Sequence, residues 1–248
     1  MKKLFSQLSE KINSSHGADT SAILLCAGES TRFSQGRSSK QMASVLGKAV
    51  VSRTIDAFEE APSIKEIVLV VKKEEADDYN KLICDSAYKK ISCIVVGGDT
   101  RQISAMRGFK HISEKSKLVA IHDGARCLVT PDIIEAVIAE ARLSGAASAA
   151  SRVTDTVKMA DDGNNIVRTV SRENMWTVQT PQVFEHQLYR SCVENAAQKG
   201  ITATDDCMLA EAYGQKVKLV ETGRENIKIT YKEDILLAEA LIKARGDK

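Results

Sequence analysis

The chain has 248 residues, 43% hydrophobic and 27% charged, with a formal net charge of +2. That length and apolar fraction allow one large domain or two small ones around a sizeable core. The near-zero charge excludes bulk electrostatic attraction to nucleic acid or an anionic membrane, so any anion must be held locally. The six cysteines, Cys26, Cys84, Cys93, Cys127, Cys192 and Cys207, show no Cys-x-x-Cys spacing, and the four histidines are scattered. This pattern argues against a zinc site or redox pair. No continuous apolar run follows the basic start Met1-Lys-Lys, and none elsewhere approaches membrane-spanning length. A reduced, cytoplasmic setting is the expectation.

Residues 1–20 read as an N-terminal extension, with Leu4, Phe5, Leu8 and Ile12 at helical spacing. Ala22 to Cys26 is a short apolar run expected to form a buried strand. It breaks at Gly28 into a polar loop with Arg32, Arg37 and Lys40 against one acid, Glu29, and a helical pattern follows with Val51, Thr54, Ile55 and Phe58 on one face. Strand, cationic loop and helix form a recipe for holding a polyphosphate on backbone N–H groups and a helix N-terminus. Two commoner phosphate loops do not fit. A Walker loop requires Lys after its second glycine, and Gly36 is followed by Arg37; a dinucleotide loop requires three close glycines, and only Gly28 is near the strand.

Alternation continues. Strands are expected at Ile67–Val71, at Ile91–Val96 ending in Gly97-Gly98-Asp99, and at Leu118–Ile121 ending in His122-Asp-Gly-Ala-Arg126. Helices are expected at Lys73–Ala87, at Arg101–Ile112 with Ile103 and Met106 on one face, and from Pro131 with Ile134, Val137, Ile138 and Ala141 inward. This rhythm predicts an α/β fold, a parallel sheet covered on both faces by helices. Ligands in such folds sit beyond the carboxyl ends of the strands. Three complementary segments fall there: cations at the Gly28 loop, close backbone approach at Gly97-Gly98, and the Asp123 carboxylate.

After Ala150 the rhythm changes. Val153–Ala160 and Ile166–Ser171 flank Asp161-Asp-Gly-Asn-Asn165, a hairpin signal. Its apolar side needs cover, from a partner subunit or from its own domain. Pro181 limits Trp176–Phe184 to an edge or turn. Glu185–Lys199 reads as helix, Thr204-Asp205 as a cap for another helix, and Val217–Val220 and Ile227–Thr230 as strands. Lys232–Arg245 closes the chain with Ile235, Ala238, Leu241 and Ile242 inward.

From Ser21 to Ile242 the ordered motifs resemble the 2-C-methyl-D-erythritol 4-phosphate cytidylyltransferase family. The resemblance rests on Ala27-Gly28 with Arg32 and Lys40-Gln41, Gly97-Gly98-Asp99 with Arg101 and Ser104, and His122 to Arg126. It continues in Asp155-Thr-Val-Lys158, Ser171-Arg172, Trp176 with Gln179-Thr-Pro-Gln-Val-Phe184, Thr204-Asp205 and Asn226-Ile-Lys-Ile-Thr230. It implies a Rossmann-like, mostly parallel sheet in a nucleotidyltransferase domain over residues 21–245, with an inserted β-hairpin arm at about 152–172. The implied activity joins CTP to a sugar-alcohol phosphate with Mg²⁺ as cofactor, in a homodimer clasped by the arm, with neither nucleic acid nor membrane as partner. Arg32, Lys40 and Lys228 are the implied catalytic cations. Ala27, Gly28, Gly97, Gly98, Asp99, Ser104 and Asp123 are the implied nucleotide contacts, with Asp123 also the metal candidate. Arg126, Thr156, Arg172 and Thr204 are implied to bind the acceptor. This chain departs from the family pattern in having Ser30 for a glycine, Ser39 for the proline before the lysine, and Cys127 for the proline after Arg126. Those departures keep a catalytically silent nucleotide-binding protein as an alternative, beside a ribitol 5-phosphate cytidylyltransferase.

Overall fold

The computed structural model describes residues 16–28, 33 and 39–246. Seven strands form one twisted sheet. In chain order they are β1 (Thr20–Leu25), β4 (Ile64–Val71), β5 (Ile91–Val96), β6 (Leu118–Asp123), β7 (Ala146–Arg152), β10 (Trp176–Glu185) and β11 (Lys218–Glu221). Across the sheet the order is β11-β7-β10-β6-β1-β4-β5, with β10 antiparallel to both neighbours and every other pairing parallel. Two small hairpins complete the strands: β2 (Ser44–Val45) with β3 (Lys48–Ala49), and β8 (Val157–Ala160) with β9 (Ile166–Val170). The helices are α1 (Val50–Glu60), α2 (Ala76–Cys84), α3 (Arg101–Phe109), α4 (Pro131–Ser144), α5 (His186–Lys199), α6 (Asp206–Tyr213) and α7 (Glu233–Arg245).

The period of two along the central strands builds two cores. Ala22, Leu24 and Cys26 pack on one face with Val51, Ile55 and Phe58 of α1, Tyr79 of α2, and Ile134, Val137 and Ile138 of α4. Ile23 and Leu25 face the other way, toward Ala105 and Phe109 of α3, Tyr189 and Ala196 of α5, and Leu209 of α6. A strand apolar on both faces requires helices on both faces, and the fold class follows. A third cluster seats α7, through Ala238 and Ile242, on Val45, Val50, Leu128 and Ile229.

Several expectations are corrected. The β2–β3 hairpin separates the first loop from α1, and the first N–H groups of α1 are already used: Val50 N donates to Ala43 O and Val51 N to Gln41 O, both at 2.9 Å. Those two donors of the helix terminus are therefore not available to an anion. On α3 the inward residues are Ser104, Ala105, Gly108 and Phe109, while Ile103 is 39% exposed. β7, sequence AASAASR, was not expected as a strand, because alanine and serine are weak strand formers. Pairing to β10 on one side and β11 on the other overrides that preference. Pro181 lies in β10, an interior strand, and not at an edge. The β7 register shifts between Val178 and Gln182, so no ladder donor is needed at 181. Asn226 Nδ2 donates to Thr180 O at 2.8 Å across that gap. Finally, 227–230 is not a strand. It hooks onto the turn after β6, with Ile229 N donating to Ala125 O at 2.8 Å and the Ile229 side chain fully buried.

At the opposite end of the sheet Arg142, with a side chain 5% exposed, grips both oxygens of Asp19 at 2.7 and 2.8 Å. Burial pushes the Asp19 carboxyl up, but hydrogen bonding and charge from Arg142, with the charge of Lys117, outweigh it and hold the group below its ordinary value. A carboxylate depressed in the folded state stabilises above its unfolded pKa, about 3.9, and that contribution is lost as pH falls through the folded value. Asp19→Asn should therefore cost about 3–5 kcal/mol at pH 7 in urea melts. Its stability should also fall less than wild type between about pH 5 and 2, and parallel acid profiles would contradict this role.

Candidate active site

A cavity of about 600 Å³ opens at the carboxyl ends of β1, β4, β5 and β6. It is lined by Ala27, Gly28, Lys40, Gly97, Gly98, Asp99, Ser104, Asp123 and Lys228. Nine sequence-predicted residues, scattered over 202 positions from 27 to 228, thus share one space. Lys40 is only 7% exposed, unusual for a lysine. Arg32 lies outside the described residues. The structure does not bring Thr156, Arg172 or Thr204 into the cavity. Thr156 and Arg172 sit exposed at the base of the β8–β9 arm, where Arg172 Nη1 donates to Thr154 O. Thr204 is exposed on the approach to α6.

The base of the cavity is shaped by close backbone approach. A Cβ on Gly97 would stand 2.5 Å from Ala27 Cβ and 2.8 Å from Ser104 Oγ. One on Gly98 would stand 2.2 Å from Ile103 Cγ2. Ser104 Oγ accepts from Gly98 N–H at 3.1 Å and lies 3.3 Å from Gly98 O, so this hydroxyl holds the glycine turn in shape.

Asp123, 8% exposed, is the electrostatic centre. Lys228 Nζ is 2.9 Å from Oδ2, Arg101 Nε 3.3 Å from Oδ1, and Arg126 Nε 3.7 Å from Oδ2. Burial pushes the Asp123 carboxyl up, but Arg101, Lys228 and Arg126 together drive it well below the usual carboxylate range. Arg126 is therefore part of the cluster from beneath, although it does not line the cavity. Its Nη1 donates to Asn226 O at 2.8 Å, which ties the Lys228 segment to the turn after β6.

His122 lies directly under this cluster and is fully buried. Burial, and then Arg126, lower its pKa to about 3 against the opposing pull of Asp123. The imidazole is neutral. Its Nε2 faces Arg126 O at 3.3 Å, so Nε2 carries the proton, and Nδ1 accepts from Thr180 Oγ1 at 3.0 Å. Thr180 Oγ1 in turn accepts from Asp123 N–H at 3.0 Å. The histidine holds the Asp123 backbone and exposes no basic nitrogen to the cavity.

Sequence reasoning missed part of this surface. Gln41, Lys72, Lys73, Glu74, Thr100 and Arg101 also line the cavity. Lys72 and Lys73 were legible by the strand-end rule, since they directly follow β4. Arg101 Nη1 also meets Asp206 at 2.6 Å, a residue 1% exposed. Burial pulls the Arg101 guanidinium down, but Asp206 and Asp123 hold it above its ordinary value. Nothing in the sequence alone pairs residues 101 and 206.

Among the described residues no group of three or more His, Cys, Asp or Glu side chains converges as a metal site. Asp123 places a carboxylate, its pKa held well below the ordinary range by Arg101, Lys228 and Arg126, at the cavity wall. It suits a hard divalent cation that takes its remaining ligands from phosphate and water.

The glycine contacts yield a measurable contrast. Gly97→Ala should destabilise the protein by about 1–3 kcal/mol, because Ala27 and Ser104 must move. Gly28→Ala has nothing within 4 Å of its added carbon among the described residues and should leave the melting temperature nearly unchanged. Equal melting temperatures for the two variants would refute the packing account.

The family model for 2-C-methyl-D-erythritol 4-phosphate cytidylyltransferase matches residues 20–244. A protein of that name from Desulforamulus reducens is 43% identical over 226 residues, covering 91% of this chain and 96% of the relative. Another from Alkaliphilus oremlandii is 41% identical over 229 residues, covering 92% and 97%. The crystal structure of 4-diphosphocytidyl-2C-methyl-D-erythritol synthase from Anaerococcus prevotii superposes with a TM-score of 0.79 at 32% identity, over 90% of this chain and 96% of that one. This chain belongs to the 2-C-methyl-D-erythritol 4-phosphate cytidylyltransferase family, and it is a nucleotidyltransferase.

Proposed function

We propose that this protein transfers the cytidylyl group of CTP to 2-C-methyl-D-erythritol 4-phosphate, releasing pyrophosphate, in non-mevalonate isoprenoid biosynthesis. The observation that carries the reading is the cavity in which Lys40, Lys228 and Asp123 meet the Gly97-Gly98 turn at the strand ends. An oxygen of the acceptor phosphate forms the new bond to the α-phosphorus of CTP. The bond from that phosphorus to the bridging oxygen breaks, and pyrophosphate leaves with the electron pair. The nucleophile is already an anion, so no base has to take a proton. A buried neutral His122 agrees with that demand.

The chain's own work is positioning and charge stabilisation. Backbone at Ala27 and Gly28 with Lys40 holds the triphosphate. Gly97, Gly98, Asp99 and Ser104 form the base and ribose wall, Ser104 by shaping Gly98. Lys228, 38% exposed on a long side chain, is shared between Asp123 and the α-phosphate, and Arg32 adds charge there. Arg126, Thr204 and a partner's Thr156 and Arg172 position the acceptor. When bound, Mg²⁺ supplies charge neutralisation at the phosphates, with Asp123 as its protein carboxylate.

The homodimer rests on the arm. Residues 158–169 are all exposed, with Ile166 at 65% and Val167 at 60%. A lone two-stranded hairpin is marginal in water, and its apolar side needs cover that a second copy supplies. The cytoplasmic setting rests on six free thiols, four of them buried. No helix among the described residues is long and apolar enough to cross a membrane.

Pyrophosphate release from CTP and Mg²⁺ should require methylerythritol 4-phosphate and should not occur with ribitol 5-phosphate; the reverse preference would replace the acceptor. Lys40→Ala and Lys228→Ala should each lower turnover on the order of 100-fold with the fold intact by circular dichroism, and near-normal rates would remove that lysine from the mechanism. Replacing residues 158–169 by a tight turn should give a monomer in analytical ultracentrifugation with acceptor-dependent turnover lost. A dimer that survives this deletion would place the interface elsewhere.

A further inference from the structure

The Asp206 side chain lies in the interior, at 1% exposure, yet it is outside the cavity and touches no proposed substrate position. Its Oδ2 meets Arg101 Nη1 at 2.6 Å, and its Oδ1 accepts from Tyr189 Oη at 2.6 Å. Its backbone N–H donates to Gln182 Oε1 at 2.9 Å, which also receives Cys207 N–H at 3.2 Å, while Gln182 Nε2 donates to Asp205 Oδ2 at 2.8 Å. The start of α6 is thereby clamped to β10, and the carboxylate has little freedom.

Arg101 is the group this carboxylate holds. It is the first residue of α3, where a cation is on the wrong end of the helix dipole. Its Nη2 is buried with no acceptor among the described residues. Both features are costs, and local helix stability does not account for them. They are offset by the two carboxylates that the guanidinium spans, Asp206 behind it and Asp123 at the cavity wall. A buried pair of this kind is poor value for stability alone, since apolar residues of similar volume commonly do as well. It is effective as a rigid strut, because outer hydrogen bonds orient the groups that meet the ligand.

We propose that Asp206 is a positioning residue for the transfer reaction: through Arg101 it fixes the Asp123 carboxylate, and with it Lys228, in line with the α-phosphate. The strut also ties the nucleotide side of the cavity to the start of α6, two residues beyond Thr204, on the proposed acceptor side. The proposal rests on the cytidylyltransferase reading for its kinetic arm and on geometry alone for its structural arm.

Asp206→Asn keeps the shape and removes the charge. It should lower kcat by about 10- to 100-fold with KM for CTP within about threefold, because the triphosphate and base contacts are untouched. On an Arg101→Lys background the same change should add less than about twofold, as expected for residues acting in series. The activity-independent readout is the Arg101 Nε–H signal in ¹⁵N NMR, assigned by its absence in Arg101→Lys. It should exchange slowly in wild type and at least about tenfold faster in Asp206→Asn. If Asp206→Asn does not fold, Tyr189→Phe removes one hydrogen bond to the same carboxylate and should give a smaller loss, about three- to tenfold, in kcat alone. Wild-type kcat in the folded variant, multiplicative losses in the double variant, or unchanged Nε–H exchange would each overturn the strut. A wild-type protein inactive with either acceptor would fail the proposed function instead, and the exchange measurement would then decide the strut by itself.

Discussion

The organising constraint is one buried carboxylate. Asp123 ends a central strand with little access to water, and an unpaired charge there would be prohibitive. Each nearby cation contributes on the order of 4 kcal/mol of attraction at 4 Å in a protein-like dielectric, so several are needed to offset desolvation. The chain supplies three, and each comes from a different structural unit: Arg101 from the start of α3, Arg126 from the turn after β6, and Lys228 from the 226–230 hook. Meeting that demand brings α3, the sheet and the hook that precedes α7 to one point. The geometry of the cavity wall and the folded geometry are therefore the same requirement seen twice.

The same point explains why the 226–230 segment is not a strand. Its alternation of Lys228 between Ile227 and Ile229 imitates a strand, but the alternation serves an anchor: Ile229 is buried beside Ala125 and Leu128, and Lys228 is left on the cavity side. Asn226, fully buried, holds the other end through Gln179 and Thr180. A lysine presented this way has a fixed backbone and an ammonium group held 2.9 Å from Asp123 at the cavity wall.

What was legible in the sequence was whatever a local pattern dictates. Short continuous apolar runs marked β1, β4 and β6, and Pro131 marked the start of α4. Glycines at strand ends marked Gly97 and Gly98, where any side chain would collide with Ala27 or Ile103. What was not legible depends on contacts distant in sequence. β7 is built from alanine and serine and exists because β10 and β11 flank it. Pro181 is interior because Asn226, far along the chain, satisfies the carbonyl beside it. Asp206 looks like the first residue of a capped helix until Arg101, 105 positions earlier, is seen against it.

The departures from the family pattern were the grounds for a silent nucleotide-binding protein, and two of the three can be judged physically. Ser39 stands where a proline would set the turn before Lys40. Here its hydroxyl donates to Gln41 Oε1 at 2.6 Å and accepts from Gln41 N–H at 3.3 Å, so a local side-chain turn replaces the restraint of the ring. Cys127 stands where a proline would stiffen the turn after Arg126. It is 5% exposed among Val45, Leu128, Ile229 and Ala238, and burial pushes its thiol up to about 11, so it behaves as a small apolar side chain. Arg126 keeps its contacts to Asp123 and Asn226 across that substitution. Both changes alter how a turn is held and neither removes a charge from the cavity. Lys40 still lines the cavity and Arg126 still reaches Asp123, so the charge arrangement on which the proposed transfer depends is kept.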